Sequence, residues 1–145
     1  MSDPESPVLG EKFQNIMQQF ATENQWKLTD LTDRRAILRF GMPSGRTQML
    51  YVIRYGTVLE FSVLSIAKYD AEDQIPHALS SLLMRRNAQR MIGFWCIEEL
   101  RGQYVYSCMY NAEMDSLDSA YFGRIAVALA GECDEFEEGL LKSME

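Results

Sequence analysis

The chain has a single histidine, His77, and only three cysteines, Cys96, Cys108 and Cys133, in 145 residues. A structural zinc site draws four thiolate or imidazole ligands from short paired spacings, so this inventory argues against one. The odd, widely spaced cysteines equally exclude the disulfide framework of a small secreted domain, and they read as free thiols in a reducing compartment. Long apolar runs are also missing. No stretch approaches the twenty or so residues of a membrane span, and the opening MSDPESPVLG is acidic and proline-bearing where a signal peptide is basic and then apolar. The expectation is a cytoplasmic protein with no membrane partner. Basic residues are outnumbered: 14 Lys and Arg against 21 Asp and Glu leave a formal net charge of -7, which repels phosphate and disfavours nucleic acid. Neither a glycine-rich phosphate loop nor a dinucleotide fingerprint occurs, and His77 has no serine or cysteine partner in a recognisable motif. With no poised nucleophile, base or metal set, the residues point to a non-enzyme that needs no cofactor.

What is present is ordinary globular composition, 47% hydrophobic and 24% charged, in a length that suits one core. Residues 1–10, with two prolines, two acids and a glycine, read as a flexible N-terminal tail, and residues 11–145 as a single domain. From Glu11 to Glu23 the spacing of Phe13, Ile16, Met17 and Phe20 predicts an amphipathic helix. Trp26 to Leu31 alternates weakly, as a short strand or a lead-in. Arg35–Phe40 is β-like and ends at the turn Met42-Pro-Ser-Gly45. Thr47–Arg54 and Val58–Ile66 flank a glycine-containing turn and form a hairpin. Asp73 is placed to cap a second helix through Leu79, Leu82 and Leu83, with Pro76 in its first turn. Ile92–Ile97 and Tyr104–Tyr110 make a second hairpin. Asp115 or Ser116 then caps a last helix along Leu117, Tyr121, Ile125 and Leu129, which bends or continues beyond Gly131. The order αβββαββα, with short loops, predicts an α+β fold: a five-stranded antiparallel twisted sheet packed with three helices.

Two charge runs stand out. Arg85, Arg86 and Arg90 crowd six residues of an acidic chain. At about 100° per residue, Arg86 lies close to the leucine stripe of the second helix and Arg85 roughly 100° to its side, so they do not form one basic face. Arg90 would also fall on the leucine stripe if the helix continued, which places the helix end near Asn87, a residue that tolerates the left-handed terminating conformation. Arginines there meet the unpaired carbonyls of the last turn and the negative end of the dipole. Arg85 and Arg86 are retained as candidates for a partner-binding patch. Glu132-Cys-Asp-Glu-Phe-Glu-Glu138 holds five acids in seven residues and reads as a solvated helix face.

The tyrosines are the more suggestive pattern. Tyr51 and Tyr55 share one parity in their strand, and Tyr104, Tyr106 and Tyr110 share one in theirs, while Leu50, Val52, Val105 and Met109 occupy the opposite faces. Both sides of the sheet are therefore partly apolar. Either the three helices cover both faces, or a second subunit or a bound segment covers part of one. These five tyrosines, with parts of the first helix, are the candidate contact surface.

The element order, Leu82-Leu83 followed by Asn87, Gly93-Phe94 opening a strand, and Leu117 to Phe136 in a long last helix together resemble the YbjN-like family, bacterial sensory transduction regulators by description, from about Leu9 onward. That family is similar in fold to the class I type III secretion chaperones and the Tir chaperone group. The resemblance implies a small acidic bacterial cytosolic protein, often dimeric, that acts by binding other proteins. It transfers no functional residue, and Leu82, Leu83 and Asn87 match as structural positions. The leading expectation is a non-enzymatic protein-binding module, chaperone-like or regulatory, and a homodimer. The alternative is a small-molecule-sensing regulator with a pocket between helices and sheet.

Overall fold

A computed structural model describes residues 7–144. The first helix, α1, spans Pro7–Glu23, four residues earlier than the sequence pattern predicted. Proline costs no hydrogen bond in a first helical turn, and Leu9 packs on the core. Of the expected tail, residues 7–10 are thus helical, and residues 1–6 lie outside the described residues. Six strands follow rather than five: β1 (Lys27–Leu31), β2 (Arg35–Gly41), β3 (Thr47–Tyr55), β4 (Val58–Tyr69), β5 (Phe94–Leu100) and β6 (Gln103–Glu113). The helix α2 (His77–Asn87) lies between β4 and β5, and α3 (Ser119–Ser143) closes the described chain. The additional strand is the ambiguous 26–31 segment. Its alternation is weak because it is an edge strand of half-buried and exposed residues, bulged between Leu28 and Asp30 against β2.

The strands form one antiparallel sheet in the order β1-β2-β3-β4-β6-β5. Alternation sends Ala36, Leu38 and Phe40 of β2, Leu50 and Val52 of β3, and Leu59, Phe61 and Val63 of β4 to one side, where all are buried. All three helices pack on that side: α3 against β3, β4 and β6, α1 against β1, β2 and α3, and α2 against β5. Helix α3 runs unbroken through Gly131, and its stripe Phe122, Ile125, Ala126, Leu129, Cys133 and Phe136 forms the floor of the core. Phe122 meets the rings of Phe20, Trp26 and Phe61. Among the described residues, the other side of the sheet carries no helix.

Helix starts differ from the sequence expectation. Asp73 sits in a single 3-10 turn (Glu72–Gln74), and α2 begins behind Pro76 with no side-chain cap. Asp115 and Ser116 also lie in a 3-10 turn, and Asp118 caps α3, accepting the Tyr121 backbone N–H at 2.7 Å. At α3 the acceptor with extended backbone directly before the helix, Asp118, reaches a free amide, whereas at α2 that position is Pro76, which has no side-chain oxygen to offer. Leu100 and Gln103 are joined by Arg101-Gly102, both at positive φ as a tight two-residue hairpin turn requires. Gly93, at φ 93°, leads into β5 where an added Cβ would sit 2.6 Å from Leu129 Cδ2. The close approach of β5 to α3 therefore requires glycine there.

Candidate functional site

The uncovered side of the sheet is the candidate site. Tyr51, Ile53 and Tyr55 of β3 point to it, beside Glu60, Ser62 and Leu64 of β4, Val105 of β6, and Glu98 and Leu100 of β5. The strand twist makes this surface concave, and these residues line a cavity of about 580 Å³ together with Arg35, Lys68, Arg101 and Gln103. Tyr55 is 60% exposed at its margin. Glu98 accepts the Ser107 hydroxyl at 2.6 Å. Burial, reinforced by the charge of Glu98, raises the Glu60 carboxyl above the ordinary range. The surface is thus mixed, with tyrosine and aliphatic side chains beside two facing carboxylates and the cations Arg35, Lys68 and Arg101, a composition suited to a peptide-like partner with both apolar and polar groups.

The sheet separates the five tyrosines. Tyr51 and Tyr55 lie on the open side, whereas Tyr104, Tyr106 and Tyr110 turn toward the helices. Tyr106 is buried, its hydroxyl 2.6 Å from Ser80 Oγ and 3.3 Å from the Pro76 carbonyl that accepts from it. Tyr110 and Tyr121 pair through their hydroxyls at 3.0 Å. The half-buried Tyr104 stands opposite Tyr69, whose ring meets Tyr106 edge-on. A shared parity within each strand says nothing about which parities coincide between strands; register decides that.

The arginines are divided as the helical projection required. Arg85 is exposed and donates at 3.4 Å to the Ser81 carbonyl. Arg86 lies 2.8 Å from Glu132 Oε1 and 3.5 Å from Glu135. Arg90 pairs with the other oxygen of Glu132 and donates to the carbonyls of Ile92 at 3.0 Å and Ala128 at 3.3 Å. Asn87 ends α2 without a left-handed backbone, since the non-glycine residues at positive φ among those described are Gln25 and Arg101. Its side chain instead clips the strand edge: Trp95 N–H donates to Asn87 Oδ1 at 2.6 Å, and Asn87 Nδ2 donates to the Trp95 carbonyl at 3.0 Å.

The acidic run is largely buried rather than solvated. Glu132, Asp134 and Glu137 are 5%, 9% and 3% exposed. Asp134 Oδ1 accepts from Ser44, Arg46 and Gln48 at 3.0, 3.1 and 3.2 Å. Burial alone would raise its pKa, yet the bonds from Gln48, Ser44 and Arg46 together hold it below the ordinary aspartate value. Glu137 accepts from Gln48 at 2.6 Å and from the Ile66 backbone N–H at 2.9 Å, inside the β4 bulge between Leu64 and Lys68. These carboxylates answer buried donors of the fold and have no geometry for acid–base work on a substrate. Among the described residues no group of three His, Cys, Asp or Glu side chains is placed to hold a metal ion. The cysteines are free, with burial as the main cause raising the thiol of Cys96 to about 11 and that of Cys108 to about 12. Neither is a poised nucleophile. Cys96 and Cys108 are not cross-strand partners, because Cys108 stands opposite Trp95 and Cys96 opposite Ser107, on the other face of the sheet.

The chain shares its fold with a chaperone–effector structure. A chain in the solved structure of the HopA1-SchA chaperone-effector complex superposes with a TM-score of 0.63, covering 92% of this chain and 98% of that one at 11% identity. Identity that low establishes the fold alone. No protein-family model matches the sequence, that of the YbjN-like family included, and no curated protein matches it. The chaperone-like fold expected from the sequence thus has structural support, while the YbjN-like resemblance rests on the sequence features. No helix among the described residues is long and apolar enough to cross a membrane.

Sequence reasoning missed Glu98, Glu60 and the Asn87 clip. The two glutamates belong to strands that are not neighbours, and only the strand order β4-β6-β5 brings them onto one surface. For Asn87 a signal existed: an amide at a helix end, eight residues before a tryptophan entering a strand.

Proposed function

We propose that this chain is a non-enzymatic protein-binding module, chaperone-like or regulatory, that holds a segment of a partner protein on the open apolar side of its sheet. The observation that carries this reading is that all three helices pack on one side, leaving the concave surface around Tyr51, Tyr55, Leu64 and Leu100 with no described helix over it. Monomers seldom expose a large contiguous apolar surface without a use for it. The shared fold with a chain of the HopA1-SchA chaperone-effector complex supports the same class of activity. A bacterial, cytoplasmic homodimer of the YbjN-like kind is the specific form we favour. The exposed apolar side chains Leu82 and Met84 of α2 and Ile97 of β5 offer a separate surface for the second copy.

A photo-crosslinking residue placed at Tyr55, or as a control at the exposed Val127 on α3, tests the assignment in cells. The Tyr55 probe should give a discrete adduct with a partner protein and the Val127 probe should not. Equal labelling at both positions, or none at Tyr55, would remove the basis for the open-face assignment. Native mass spectrometry reports the copy number independently.

A further inference from the structure

The open face has a charge pattern that narrows what can occupy it. Glu60 stands opposite Ile53 in the β3–β4 ladder, while Tyr51 and Tyr55 stand opposite Ser62 and Val58. The two tyrosines are therefore diagonal neighbours of Glu60, at the roughly 7–8 Å that aromatic side chains span. Among the described residues no donor answers Glu60: burial and the charge of Glu98 act on its carboxyl, and both disfavour ionisation. The side chain is half-buried, yet its oxygens keep contact with solvent. Glu98 accepts one bond, from the Ser107 hydroxyl at 2.6 Å, out of the several a carboxylate can take. Both carboxylates also raise the Cys96 thiol, so their fields converge on one stretch of the face. The cations of the cavity are not bonded to this pair. Arg35 is held by Asp30 at 2.7 Å, and Lys68 and Arg101 form no ion pair among the described residues.

We propose that the partner segment held on this face carries a single arginine or lysine between apolar residues, its cation received by Glu60 and Glu98 and its apolar neighbours by Tyr51, Ile53 and Tyr55. This occupant presupposes the open-face reading and adds to it the chemistry of the partner. A guanidinium or ammonium brings the charge-assisted donors that Glu60 lacks, and it offsets the repulsion between the two carboxylates. Tyrosine rings attract a cation over their faces and pack against aliphatic side chains, so they suit both parts of such a segment. Lys68 and Arg101 limit the number of cations to one, because they repel a polybasic segment on the same surface.

Short random peptides displayed on phage and selected on the full-length protein provide the test. Selected sequences should carry one Arg or Lys flanked by apolar residues, and they should cross-link to a probe at Tyr55 and not at Val127. Replacing such an arginine by citrulline, a neutral side chain of the same shape, should weaken binding about tenfold in fluorescence anisotropy, the low end for a hydrogen bond to a charged group. Glu60→Gln combined with Glu98→Gln should abolish that difference and leave the affinity of the citrulline peptide unchanged. The net charge of -7 attracts any basic peptide, so the control is Glu11→Gln combined with Glu135→Gln. It removes two exposed acids from α1 and α3, on the helix side, and should preserve the preference for arginine. Selected peptides without a basic residue that still cross-link at Tyr55 overturn the cation assignment and leave the open-face reading standing. A preference that survives Glu60→Gln with Glu98→Gln, or is lost equally in the control, also overturns it, as does a selection that enriches no peptide. Equal cross-linking at Val127, or a Tyr55 adduct with a second copy of this chain, removes the open-face reading as well. If the double variant does not fold, Glu60→Gln alone, which breaks no bond within the described chain, decides in its place.

Discussion

The two sides of the sheet come from the same strands, yet they treat charge and aromatic surface in opposite ways. Toward the helices, Phe61 is fully buried against Phe122, and each inward carboxylate meets donors that hold it: Glu132 lies between Arg86 and Arg90, and Asp134 and Glu137 meet Gln48. One residue along the same strands, Tyr51 and Glu60 face a concavity with no helix over it, and Glu60 has a second carboxylate for a neighbour. The closed side has answered its buried carboxylates within the chain. On the open side Ser107 holds Glu98, while Glu60 is set beside that second carboxylate, and it is there that the binding function is proposed.

The largest expected effect lies on the closed side. Phe122→Ala removes a fully buried ring that touches three others and should cost about 3–5 kcal/mol in denaturant unfolding. Tyr55→Ala, on the open side, should change stability by about 0.5 kcal/mol or less while abolishing most partner capture. A Tyr55 variant as destabilised as the Phe122 variant would mean that the open surface is core, and the contrast would collapse.

Next comes the acidic run. Glu132→Ala leaves Arg86 and Arg90 without their shared carboxylate. Breaking a fully buried pair costs about 3–5 kcal/mol, and because both arginines keep some exposure, about 2–3 kcal/mol is expected here. The measurement is the urea midpoint at unchanged m-value. A neutral result would restore the sequence-level picture of a solvated acidic face.

That picture failed for a physical reason. Elements were legible wherever local periodicity carried them: the amphipathic stripes of α1 and α3, the alternation of β2 to β4, the hairpin at Arg101-Gly102, the end of α2 ahead of Arg90. Each depends on residues close in sequence. The partners of Glu132, Asp134 and Glu137 come from 42 to 90 residues away, so a helix with five acids gives no local sign that three are buried. The tyrosines failed the same way. Parity within a strand is local, but which side of the sheet the helices choose depends on the whole strand order, and it placed Tyr51 and Tyr55 apart from Tyr104, Tyr106 and Tyr110. The short, half-exposed β1 lacked a pattern because an edge strand with few buried residues needs none.

The smallest expected effect is also the sharpest on the contrast between the sides, because two carboxyls titrate with opposite sign. Asp134, held below the ordinary aspartate value despite its burial, contributes stability that is complete above the unfolded-state pKa and lost as pH falls through the folded one. Glu60 is raised, by burial first and by Glu98 second, so its ionisation disfavours the folded state. That penalty is absent below the ordinary glutamate value and complete above the raised one, and stability from this group falls as pH rises between them. Asp134→Asn should therefore flatten the loss of stability in acid. Glu60→Gln should raise the urea midpoint at neutral pH by a small amount, about 0.5 kcal/mol or less once solvent screening of this half-buried group is allowed for, and should have no effect at pH values where Glu60 is already protonated. If Glu60→Gln proved destabilising at neutral pH, the carboxylate would have to be held by partners within the chain, as Asp134 is, and the open side would be as internally satisfied as the closed one.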